Sequence, residues 1–65
     1  MSIAIRLKKE SLEARLEVLE KDYKGIERDY KQAHDADEKN RLESKLKTKF
    51  EQIEEVEKEL KQLWA

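Results

Sequence analysis

His34, Asp35, Asp37 and Glu38 are residue types that can hold a metal ion or move protons, and they lie together near the middle of the chain. The spacing does not suit either task. A calcium loop that began at Asp35 would need Asp or Asn where Lys39 stands and Gly where Asn40 stands. A zinc site would need more His or Cys ligands, and the chain has one histidine and no cysteine. A single glycine leaves no Gly-rich loop to cradle a phosphate. No nucleophile, base and orienting group recur at a workable spacing, so no catalytic site, cofactor, metal or small-molecule substrate is expected. The cluster reads as a solvated turn whose carboxylates cap a helix.

A second chemical candidate follows at once. Lys39, Arg41, Lys45, Lys47 and Lys49 make a basic stretch that could meet nucleic-acid phosphates. No aromatic residues interleave these lysines, and the sequence beyond them turns acidic. Nucleic-acid binding is therefore the weakest of the functional readings.

These residues need elements to position them, and composition narrows the choice. Of 65 residues, 48% are charged and 37% hydrophobic, with one glycine and no proline. That balance is the long-helix or coiled-coil signature. Net charge is −1 with the signs interspersed, so no long-range field steers the chain toward nucleic acid or an anionic membrane. No apolar run is long enough to span a bilayer. The first residues lack the order of a signal peptide. The absence of cysteine agrees with a reducing compartment, and a cytoplasmic location is expected.

The apolar residues fall on one line. Leu12, Leu16, Leu19, Tyr23, Ile26, Tyr30 and Ala33 are separated by alternating gaps of four and three, which puts one stripe on an α-helix. Ser2 is a suitable N-cap, so helix 1 is expected over about 3–33. Glu17–Lys21, Glu20–Lys24 and Glu27–Lys31 have the favourable i, i+4 orientation on its surface. Gly25 inside the helix costs ~1 kcal/mol relative to alanine.

The stripe slips phase near His34. Asp35 followed by Glu38 resembles a capping box with Asp in the usual Ser or Thr place. A turn is expected at about 34–37 and helix 2 over about 38–64. Its seam is Leu42, Leu46, Lys49, Ile53, Val56, Leu60 and Leu63, with Glu54–Lys58 and Glu57–Lys61 outside it. Folding helix 2 back pairs Leu12 with Leu60, Leu16 with Val56, Leu19 with Ile53, Ile26 with Leu46 and Tyr30 with Leu42. The polar rung sets Lys49 beside Tyr23, with its stem on the ring and its ammonium reaching water. Arg15 comes near Glu59 and Asp29 near Lys45. On the other flank Glu13 faces Glu57 and Glu27 faces Glu43, a mismatch within one hairpin. The competing architecture is one unbroken helix about 95 Å long in a parallel dimer.

Residues 1–65 are thus read as one all-α domain, an antiparallel two-helix coiled-coil hairpin that assembles into a four-helix bundle or larger. Assembly is expected from size, because a domain this short ends near zero net stability on its own core. Helix 1 carries a second row opposite the seam through Ile3, Leu7, Ala14 and Val18. Phe50 and Trp64 flank the helix 2 seam. These six residues are the expected intermolecular surface.

The order LEVLEKDYKGIERDY, a short acidic turn, then RLESKLKTKFEQIEEVEKEL resembles the small helical-hairpin adaptors called effector-associated modules. These occur in bacterial conflict-system proteins, including NLR-like NTPases, caspase-like CHAT proteases and TIR proteins. The resemblance spans about Leu12 to Leu63 and implies homotypic recruitment of an effector that carries a like domain. The expected partner is another copy or another helical hairpin. A purely structural coiled-coil oligomeriser is the alternative.

Overall fold

The computed structural model describes the backbone of residues 2–64 and the side chains of 2–63. It consists of two helices, α1 (Ile3–Gln32) and α2 (Ala36–Trp64), packed against each other. The hairpin measures 51 × 16 × 11 Å. A single helix of about 95 Å does not fit within that length, so the unbroken-helix alternative is excluded.

Each boundary has a local cause. Ser2 is extended, and its hydroxyl accepts a hydrogen bond from the Ile5 N–H at 3.2 Å. That bond satisfies one of the donors a helix start leaves open. With no proline to interrupt it, α1 continues to Gln32. Ala33 then turns extended (φ −72°, ψ 137°), and its N–H donates to the Tyr30 carbonyl at 3.2 Å. Asp35 opens α2: its Oδ1 accepts from the Asp37 N–H at 3.2 Å, and its carbonyl accepts the Lys39 N–H at 3.0 Å. The cap acts on Asp37 rather than Glu38, and α2 starts at Ala36, slightly earlier than the expected 38. No described residue has a positive φ. A left-handed residue is the usual reason for glycine at a helix end, so this turn has no need of one.

The core follows the seam unevenly. Leu12 and Leu19 from α1 and Val56 from α2 are buried, and Leu16, Ile53, Leu60 and Leu63 pack against them. This is the half of the hairpin remote from the turn. Nearer the turn, Tyr23, Ile26, Tyr30, Leu42 and Leu46 are only half-buried, although Ala33 is buried under the connection. Two helices can enclose a single line of side chains, and large residues at its edges stay partly wet.

The shape leaves much surface exposed. A folded monomer of this mass is expected to present about 4400 Å². The hairpin presents 5446 Å². The excess arises because, among the described residues, two helices lie side by side with their outer faces uncovered.

Candidate interaction surface

Two contacts across the helices define the register. Lys49 Nζ lies 3.6 Å from Asp22 Oδ2, and the rings of Tyr23 and Phe50 lie 6.5 Å apart at a tilt of 49°. The contacts fall on either side of the level at which Tyr23 faces Lys49. The lysine side chain stays partly exposed. It turns to the neighbouring carboxylate on one edge, while Phe50 takes the Tyr23 ring on the other.

Other expected ion pairs do not close. Among the described residues, Arg15–Glu59 and Asp29–Lys45 are not within salt-bridge distance, and neither are the Glu-to-Lys pairs along each helix. The intrahelical pair present is Lys9–Glu13 at 3.7 Å. Exposed pairs of this kind contribute little because water screens them and long side chains lose entropy to form them. The side-chain carbonyl of Gln52 is buried without a donor, a polar atom that weakens the packing around it.

The second row of α1 is open to solvent. Ile3 is 70% exposed, and Leu7 and Val18 are each 59% exposed. Ala14 is exposed between them. Gly25 extends the row, and a Cβ placed there would meet nothing within 4 Å. Phe50 is 50% exposed although it touches Tyr23, so it belongs partly to the hairpin and partly to its surface. The side chain of Trp64 lies outside the described residues. Ile5, 39% exposed, is a residue the sequence reading passed over. It stands seven residues before Leu12, on the seam, at a level beyond the last described turn of α2.

The chemical candidates stay dispersed. His34, Asp35, Asp37 and Glu38 are exposed, and Asp35 is engaged as a cap. Among the described residues no group of three or more His, Cys, Asp or Glu is placed to hold a metal ion. Lys39, Arg41, Lys45 and Lys47 are exposed, whereas Lys49 is tied to Asp22. No helix among the described residues is long and apolar enough to cross a membrane.

The family model of effector-associated domain 9 matches residues 2–63. The chain belongs to the effector-associated domain 9 family. The match covers α1, the turn, α2 up to Leu63 and the whole seam of this effector-associated domain. No curated protein and no solved structure matches the chain. The surface this hairpin offers to other molecules is read from its own residues.

Proposed function

We propose that this effector-associated domain is a protein–protein adaptor that assembles or recruits a larger bacterial signalling or defence protein, in the cytoplasm, by homotypic association. The partner is a second copy or another helical hairpin.

One observation carries the reading: Ile3, Leu7 and Val18 stand in a row on the back of α1, more than half exposed. Burying a large apolar side chain contributes roughly 1.5–3 kcal/mol. A small hairpin with little stability of its own gains from a partner that covers this row. Family membership supports the same reading, since the module is named for its association with effectors.

Sedimentation equilibrium of the chain, with pull-down against other small helical-hairpin domains, tests the proposal. Self-association with selective capture of like hairpins supports the adaptor. Self-association without any such capture points instead to a structural oligomeriser.

A further inference from the structure

The charges that border the exposed row on α1 reverse sign halfway along it. On one edge, at a spacing of seven, stand Lys8, Arg15, Asp22 and Asp29. On the other edge stand Glu10, Glu17, Lys24 and Lys31. One edge runs from basic to acidic, and the other from acidic to basic. All of these residues are exposed. Asp22 reaches Lys49, and among the described residues the others form no ion pair within the chain.

We propose that the outer face of α1 binds the same face of a second copy, antiparallel, about a two-fold axis at the level between Val18 and Lys21. This deepens the homotypic reading above and rests on it. A two-fold contact is isologous, so each edge must complement itself when reversed. Both edges do. Lys8 comes opposite Asp29 of the second copy, and Arg15 opposite its Asp22. On the other edge, Glu10 comes opposite Lys31 of the second copy and Glu17 opposite its Lys24. Between the edges, Ala14 meets the open space over Gly25, Ser11 comes opposite Arg28 and Leu7 opposite Gln32 of the second copy, and Ile3 lies past the end of the contact. Val18 is covered by the stem of Lys21, whose ammonium extends outward.

Other arrangements fare worse. A parallel pair through the same row would bring Glu10 to Arg15 and Lys24 to Asp29. It would also set Glu17 against Asp22 and stack Lys21 and Arg28 on their own copies, whereas every edge pair of the antiparallel arrangement attracts. Like charges so placed oppose association and select against that orientation. The Phe50 edge is also a poor surface for a second copy. Glu20 and Glu27 lie beside Tyr23 on α1, and Glu43 and Glu57 lie a heptad either side of Phe50. Two such acidic edges repel.

A charge exchange tests the pairing by sedimentation of the full chain at low salt, with circular dichroism of each variant. Glu17→Lys or Lys24→Glu alone is expected to weaken self-association about tenfold, since two symmetric pairs turn repulsive. The double variant, or a one-to-one mixture of the two single variants, is expected to restore it. Glu57→Lys on the Phe50 edge is expected to leave it within about twofold, and salt near 1 M, where the screening length is ~3 Å, to erase the differences. If the wild-type chain associates and the single variants associate equally well, or the mixture does not recover, this face is not the interface and the homotypic reading survives. A monomeric wild-type chain overturns both.

Discussion

Lys49 and Asp22 form an ion pair across the hairpin, 3.6 Å apart, at the polar step of an otherwise apolar seam. Lys49 is anchored on α2 and Asp22 on α1, so the pair bears on alignment as well as stability. Its side chains are 30% and 50% exposed. At that exposure water screens much of the attraction, and the contribution is at most ~1 kcal/mol.

Lys49→Leu is therefore expected to stabilise the hairpin by about 1 kcal/mol, because the apolar gain at a half-buried rung outweighs a screened pair. Thermal melts at matched protein concentration check this. A clear loss of stability would show that the pair matters more than its exposure suggests. Asp22→Asn removes the attraction while keeping the shape, and is expected to cost no more than about 0.5 kcal/mol.

At low protein concentration, where no second copy covers the position, Gly25→Ala is expected to add about 1 kcal/mol. At high concentration it is expected to weaken self-association, because it fills the space opposite Ala14. The residue lies within α1, and an added Cβ would touch nothing within 4 Å. For a domain of this size that corresponds to a rise in Tm of roughly 4–8 °C. The melt of the variant, followed by circular dichroism, gives the answer directly.

Two valines separate folding from association. Val56 is 3% exposed and Val18 is 59% exposed. Val56→Ala removes packed methyl groups and is expected to cost about 2 kcal/mol at every protein concentration. Val18→Ala is expected to leave the melt at low concentration nearly unchanged and to reduce self-association. Denaturant melts paired with sedimentation distinguish the two effects.

Asp35→Ala removes the side chain that accepts the Asp37 N–H at the start of α2. An N-cap of this kind contributes about 1 kcal/mol, and the variant is expected to melt earlier by that amount. Hydrogen exchange at the first turn of α2 should rise more than at Val56 if the loss is local.

Much of this architecture was legible in the sequence because heptad spacing and the phase slip depend only on residue type and order. Leu12, Leu19 and Val56 sit on seam lines read from gaps of four and three. Their unequal neighbours were not legible: periodicity does not say that burial deepens away from the turn and leaves Tyr30 and Leu42 half-wet. Lys49 shows the limit most clearly. The seam placed it at the level of Tyr23, but a flexible side chain can turn to either edge, and nearby Asp22 decides. The turn was weakly marked because Ala33 leaves the helix through extended backbone, which any residue can adopt. The outer row was visible as a pattern of Ile3, Leu7 and Val18. Its exposure required the hairpin, since the same pattern could have been a second core.

Homotypic recruitment requires self-association, which sedimentation equilibrium across protein concentration, with melts at each concentration, measures. The expected result is an apparent mass that rises above 7.8 kDa with concentration, accompanied by a rising Tm. A folded monomer at tens of micromolar, with a Tm independent of concentration, would contradict it.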